Sequence, residues 1–311
     1  MSETLPIVVG GTVAIDNVKT PEAEHQDLLG GSASFASLAA SFFAKPVHLV
    51  GIVGKDFPSE HLEMLAGKGI EQGSLEHSEG ASFTWTGEYF NSMNDRKTHT
   101  VALNVLENWS VKVPGKAAES PIVVAANMSP VNQMQMIEAC TAADKFVLID
   151  TMDLWIEIAN DALHEVLKKA DLLVINESEA REFAQTSNLI KAGKILREKG
   201  PRYVIIKLGE FGAVLFGPPE DNHGIFRCNA FPLEEVADPT GAGDSFLGGL
   251  AGYLASLGKT EFSFSELRDG VVRGTVLASY TCEDFSTRRL EKLDEAELNR
   301  RLQLFREMSC W

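Results

Sequence analysis

The residues of this 311-residue chain best suited to chemistry lie together in Asp238-Pro-Thr-Gly-Ala-Gly-Asp244-Ser-Phe246. The stretch runs on into Leu247-Gly-Gly-Leu-Ala-Gly-Tyr-Leu254, an apolar run of small residues that reads as a buried helix. Gly241 and Gly243 allow the backbone to approach a ligand closely and to adopt positive φ where a turn needs it. A helix start offers unpaired N–H groups and the positive end of the dipole, which suits an anion. Asp244 sets a carboxylate at the same place. Together these suit phosphoryl transfer to a hydroxyl, with the carboxylate accepting the proton while amides hold the moving phosphoryl charge. A glycine turn with an aspartate capping a helix has the same spacing, and spacing alone leaves both readings open.

An α/β scaffold is expected to position these residues. Ile7-Val-Val-Gly-Gly-Thr-Val13 starts as a buried strand and enters a glycine turn, with Asp16 just beyond it. Gly30-Gly31 opens a tightly packed helix in which Phe35, Leu38, Ala39 and Phe42 recur at helical spacing. Val47-His-Leu-Val50 reads as a strand ending in a glycine turn at Gly51 to Gly54, without the spacing of a P-loop. From Pro121, short apolar strands (122–125, 146–150, 172–175 and 203–207) alternate with helices (134–139, 162–168, 180–184 and 192–199). Such strands belong in a parallel sheet covered on both faces, whose C-terminal strand ends bind ligands. Asn127, Asp150, Asn176 and Glu179 stand at those ends. One stretch departs from the pattern: 82–90 and 96–103 alternate with period two around a turn at 91–95, which predicts a hairpin. Residues 267–280 read as a further helix and 290–308 as a charged closing helix. With no linker or repeat, one continuous domain over 1–311 is expected.

Composition removes several classes. The formal charge of −16 argues against nucleic-acid or anionic-membrane partners, which need clustered Lys and Arg. No apolar run reaches membrane-spanning length, and the first residues lack the basic start and apolar core of a signal peptide, so cytoplasmic residence is expected. The cysteines (Cys140, Cys228, Cys282 and Cys310) form no CxxC pair and are expected to be free, mostly buried thiols.

Asp238 to Phe246, followed by a glycine-rich helix, closely resembles the C-terminal motif of the ribokinase-like (PfkB) carbohydrate kinase family, and Gly30-Gly31 resembles its N-terminal one. The resemblance implies a central, mostly parallel sheet with helices on both faces (three layers, Rossmann-like) and a small β lid formed mainly by about 12–30 and 82–104. It further implies an ATP-dependent phosphotransferase acting on a hydroxyl of a sugar or sugar-containing small molecule, with Asp244 as general base. The amides of Gly241, Ala242 and Gly243 would form the anion hole. Asp16, Gly30, Gly31 and Asn104 would contact the acceptor, with Arg96 a further candidate. Phe35 stands where sugar kinases usually carry Asn, so it is either a stacking face for the acceptor or a core residue. Lys207, Gly209, Gly212, Thr240, Gly241 and Gly243 would bind ATP. Asn176 and Glu179 would position Mg²⁺ largely through water, unless Asn176 serves as a helix cap. K⁺ beside the anion hole and a homodimer formed through the lid are further expectations. Two other readings stand beside the sugar kinase. A nucleoside kinase of the same family is favoured by Phe35 and by Trp85, Tyr89 and Phe90. A non-catalytic sugar- or nucleotide-binding protein is disfavoured by the intact Gly-Ala-Gly-Asp244.

Overall fold

The computed structural model describes residues 4–93, 96–221 and 224–309. Its strands are β1 (Ile7–Gly10), β2 (Ala14–Lys19), β3 (Glu24–Gly30), β4 (Val47–Gly54), β5 (Ile70–Ser78), β6 (Phe83–Tyr89), β7 (Arg96–Ala102), β8 (Ile122–Ala125), β9 (Phe146–Asp150), β10 (Leu172–Asn176), β11 (Tyr203–Lys207), β12 (Ala213–Phe216) and β13 (Ile225–Cys228). The helices are α1 (Ser32–Ala40), α2 (Ser59–Gly67), α3 (Pro130–Ala139), α4 (Asp153–Ile158), α5 (Asn160–Leu167), α6 (Glu177–Phe183), α7 (Leu189–Glu198), α8 (Ala242–Ser256), α9 (Phe264–Thr281), α10 (Arg288–Lys292) and α11 (Glu295–Ser309).

Nine strands form one sheet in the order β13-β12-β11-β10-β9-β8-β1-β4-β5. The seven from β11 to β5 run parallel, and β12 and β13 close one edge as antiparallel strands. Alternation along each strand divides the core: Ile7 and Val9 pack with α1, α8 and α9, whereas Val8 packs on the opposite face with α3, α5 and α7. Small residues set the closeness of α1 and α8. A Cβ on Gly248 or Gly252 would collide with the backbone of Ala36 or Ala40, so the glycines predicted inside the helix are what let the two backbones touch.

A second sheet, ordered β3-β2-β6-β7, stands apart from the first and forms the β lid. Both β2–β3 and β6–β7 are antiparallel, while β2 and β6 run parallel. Its own small core of Val18, Leu28 and Tyr89 meets Phe285, beyond the end of α9. The expected hairpin is therefore present, although Asn94 and Asp95 of its turn lie outside the described residues.

Two local expectations are corrected. Gly51 to Gly54 is no turn: β4 runs through it, and a Cβ on Gly54 would overlap the Gly80 carbonyl, so glycine here serves close passage of the chain entering the lid. The closing helix is two helices, α10 and α11, separated at Leu293 and Asp294. Cys140 and Cys228 are buried free thiols and Cys282 is a half-buried one, while Cys310 lies outside the described residues. Among the described residues no helix is long and apolar enough to cross a membrane.

Candidate active site

The C-terminal ends of three adjacent parallel strands supply one half of the site. Asp150 ends β9, Asn176 ends β10 and Lys207 ends β11, with Asn176 and Lys207 paired in register. Lys207 Nζ donates to Asp150 Oδ2 at 3.1 Å, across the end of β10. Directly after β10, Asn176 and Glu179 form a reciprocal capping box at the start of α6. The Asn176 Oδ1 accepts from the Glu179 amide (2.9 Å), and Glu179 Oε2 accepts from the Asn176 amide (3.0 Å). The capping alternative thus describes Asn176: its side-chain oxygen also accepts from Ser178 Oγ, at 2.8 Å.

Asp244 and the glycine turn supply the other half. Gly241 caps α8 with φ 77° and ψ 0°, the left-handed region that a side chain disfavours. The turn is braced by Asp238, which is fully buried and whose two carboxylate oxygens accept from the amides of Thr240 (2.9 Å) and Ser286 (3.3 Å). Not every predicted amide is available. That of Ala242 donates to the Pro239 carbonyl at 3.2 Å, so among the described residues Gly241 and Gly243 are the anion-hole candidates without an acceptor. Gly243 lies against Lys207, whose Nζ would be 2.9 Å from a Cβ placed there.

Electrostatics tie the halves together. Burial, and then the charge of Asp150, raise the Asp244 carboxyl to about 7, against the opposing pull of Lys207 and Arg96. Asp244 is half-buried and retains some solvent access. Burial and the neighbouring Asp150 likewise raise Glu179 to about 7. Burial alone would lower the pKa of Lys207, but Asp150, Glu179 and Asp244 outweigh it and raise it. On the lid, Asp16 is pushed up to about 8 by burial and by the charges of Asp238 and Asp244. A Cβ on Gly30 would overlap the Asp16 carboxylate, so glycine at the end of β3 is what lets that carboxylate lie there.

Beside Asn176 and Lys207 opens a cavity of about 670 Å³. Gly209, Gly212, Ala242 and Gly243 line its polar end, and Phe231, Leu233, Val236, Phe246, Ala278 and Cys282 line the apolar remainder. Glycine is required at 212, where φ is 89° and a Cβ would strike the Cys228 carbonyl. The loop carrying Phe231 to Val236 was missed by sequence reasoning, although apolar residues in a proline-containing stretch just before the glycine motif were a usable signal. Ser92 and Met93 of the lid hairpin also border this cavity.

Two predicted residues are placed elsewhere. Phe35 is 1% exposed, with its ring packed under Gly241, so it supports the turn and offers no stacking face. Asn104 donates to the Ser82 carbonyl at 2.8 Å and lines a separate surface groove with Glu76 and Asn108. Gly31 caps α1 at φ 91°, and the first amides of that helix are taken by Thr12. Thr240 bonds the lid, its hydroxyl donating to the Tyr89 hydroxyl at 3.2 Å.

Among the described residues no three His, Cys, Asp or Glu side chains converge to hold a metal alone. The donor set suits a hard divalent ion that keeps water and phosphate ligands, since Asp150, Glu179 and Asp244 crowd around a single lysine. The arrangement can hold a polyanion, bind a divalent ion through water and accept a proton at Asp244.

Comparison with known proteins finds relatives of this chain. A cytidine kinase of Thermococcus kodakarensis is 28% identical over 268 residues, covering 80% of this chain and 88% of that protein. Similar folds are found in a Burkholderia thailandensis nucleoside kinase in complex with inosine (TM-score 0.77, 17% identity, 96% of this chain and 97% of that one) and in the Methanocaldococcus jannaschii nucleoside kinase (TM-score 0.76, 16% identity, 98% and 100%). The family model described as pfkB family carbohydrate kinase matches residues 11–293, and the chain belongs to that family.

Proposed function

We propose that the protein transfers the terminal phosphoryl group of ATP to a hydroxyl of a nucleoside. The observation that carries this reading is Asp244, a carboxyl raised to about 7 at a glycine-capped helix start, within electrostatic reach of both Lys207 and the lid residue Asp16. A carboxylate poised near neutrality can take the hydroxyl proton as the oxygen attacks. The amides of Gly241 and Gly243 face the developing phosphoryl charge, and Lys207 balances it. The apolar end of the cavity suits an adenine base, while Gly209, Gly212 and Gly243 allow phosphates close to the backbone. Asp150 and Glu179 would hold Mg²⁺ largely through water, and the ion would neutralise phosphate charge. K⁺ beside the Asp238 turn belongs to the same reading and is tested by titration against Na⁺.

Asp16 would bind hydroxyls of the acceptor. A nucleoside is favoured over a free sugar because Asp16 and Trp85 are paired in register on β2 and β6, so the half-buried indole shares a lid face with the carboxylate. The kinship with cytidine and nucleoside kinases supports the same choice. The test is an ATP-consumption screen over nucleosides, ribose and other sugars with Mg²⁺ and K⁺, using Asp244→Asn as the blank. Turnover on a nucleoside that disappears in the variant is expected. Turnover confined to free sugars would overturn the nucleoside assignment, and activity equal in the variant would overturn the role of Asp244.

A further inference from the structure

We infer that Arg301, on the closing helix α11, is a positioning residue that sets the width of the slot for the donor's adenine ring, an inference that rests on the kinase reading above. The loop from Phe231 to Val236 explains the need for it. Phe231, Leu233 and Val236 form one apolar wall of the cavity. The loop contains no strand or helix, and among the described residues none of its backbone groups has a hydrogen-bond partner. Its position therefore rests on side chains. The Phe231 ring lies 6.0 Å from the ring of Phe305 and 4.7 Å from the guanidinium of Arg301, both borne on α11. Leu298 and Phe305 are buried on that helix, and Arg301 stands three residues after the one and four before the other, on the same face.

Arg301 also holds the other wall, on α9. Its guanidinium lies 3.5 Å from the centre of the Tyr280 ring, and Nη1 donates to Ser279 Oγ at 3.0 Å. Ser279 lines the same cavity as Phe231. The charge is balanced by Glu283, 2.5 Å from Nη2, and Arg289 holds the same carboxylate at 2.9 Å. One planar cation thus ties the loop wall to the helix wall. A guanidinium stacks on aromatic faces while donating in a fixed fork, so it fixes the spacing of the two walls as an ammonium or an alkyl chain would not. Arg301 does not itself border the cavity, so it acts on the nucleotide through Phe231 and Ser279. A slot already held open accepts a flat base without first ordering the loop, and that saved ordering appears as affinity. The polar end, at Gly209, Gly212 and Gly243, is built from other elements, so phosphate binding is independent of this anchor.

The test measures by calorimetry the binding of ADP and of inorganic tripolyphosphate, which has no base, to wild type, Arg301→Met, Phe231→Leu and the double variant. Methionine keeps an apolar stem on α11 and leaves Glu283 held by Arg289. In Arg301→Met, ADP should bind ~5–30-fold more weakly, the range for losing a half-buried cation–π contact and its hydrogen bond. Tripolyphosphate should bind as before, and in turnover the KM for ATP should rise with kcat intact. The double variant should lose little more than the worse single one, because both residues act through one wall. Arg301→Lys should recover part of the loss, and it carries the same comparison should Arg301→Met fail to fold. Equal weakening of ADP and tripolyphosphate, additive losses in the double variant, or unchanged ADP binding would each overturn the proposal. Unchanged ADP binding beside a silent Asp244→Asn would sink the role of Arg301 and leave the kinase reading standing. A wild-type protein that binds no ADP would sink both.

Discussion

Asp244→Asn should push catalysis and stability in opposite directions. Burial and Asp150 raise this carboxyl from 3.8 to about 7, so the native state holds the proton more tightly than the unfolded chain does. The native state is therefore penalised for ionising it. By linkage the penalty is absent well below pH 4, grows between about 4 and 7, and is complete above 7. At ~1.4 kcal/mol per pH unit the full displacement corresponds to about 4 kcal/mol, and solvent access to Asp244 cuts the working expectation to ~2 kcal/mol. Asparagine keeps the shape and removes the charge. In a chain of this length each kcal/mol moves the melting temperature by ~1–2 °C, so the variant should melt ~2–4 °C above wild type at pH 8. The gap should narrow steadily as pH falls toward 5. Turnover, followed by coupled ADP release, should drop by ~10²–10⁴, the scale for a lost general base. Turnover near that of wild type would refute the proton-acceptor role. A melting gap that is equal at pH 5 and pH 8, or reversed at pH 8, would refute the electrostatic account of the site.

Other substitutions probe the parts around it. Gly241→Ala puts a Cβ at φ 77° against the Phe35 ring, so denaturant melts should show a loss of ~1–3 kcal/mol, and an unchanged midpoint would mean the turn is not constrained as described. Lys207→Met removes the cation that holds Asp244 down. The acid limb of the kcat/KM profile, expected near pH 7 in wild type, should move to higher pH while the KM for ATP rises; a limb that stays in place would detach Lys207 from Asp244. Trp85→Ala should raise KM for nucleosides by ~10–100-fold, the scale of ~1–3 kcal/mol for one base–aromatic stack, with ribose affected much less. Equal effects on nucleoside and ribose would remove Trp85 from base recognition.

Much of the architecture was legible because each strand from β8 to β11 is a short, almost purely apolar run, as a sheet covered on both faces demands. The lid hairpin announced itself by the opposite pattern, alternation with exposed polar residues. Glycine was read less well. At 51–54 its spacing suggested a turn, yet what Gly54 met was the backbone of residues 80–82 from beyond β5. A sequence reveals that a Cβ is missing, and only the fold reveals whether the reason is φ or a neighbour.

The site shows the same division. Asp150, Asn176 and Lys207 could be placed at strand ends because chemistry in an open α/β sheet gathers there. Their coupling could not be read, since the ion pair joins residues 57 positions apart and depends on the order of β9, β10 and β11. Phe35 stayed open between stacking face and core residue for a different reason. Helical periodicity gives direction only when one face of a helix meets water, and every residue of α1 from Ser32 to Ala40 is buried. With no wet face, the pattern could not say whether the ring at 35 pointed toward the cleft or toward α8. The small residues held the answer: Gly241 has no side chain because the Phe35 ring occupies that space. The aromatic that departs from the sugar-kinase pattern therefore bears on how rigidly the Gly241 turn is held, and in the proposed nucleoside kinase base recognition would fall to the lid, where Trp85 stands in register with Asp16.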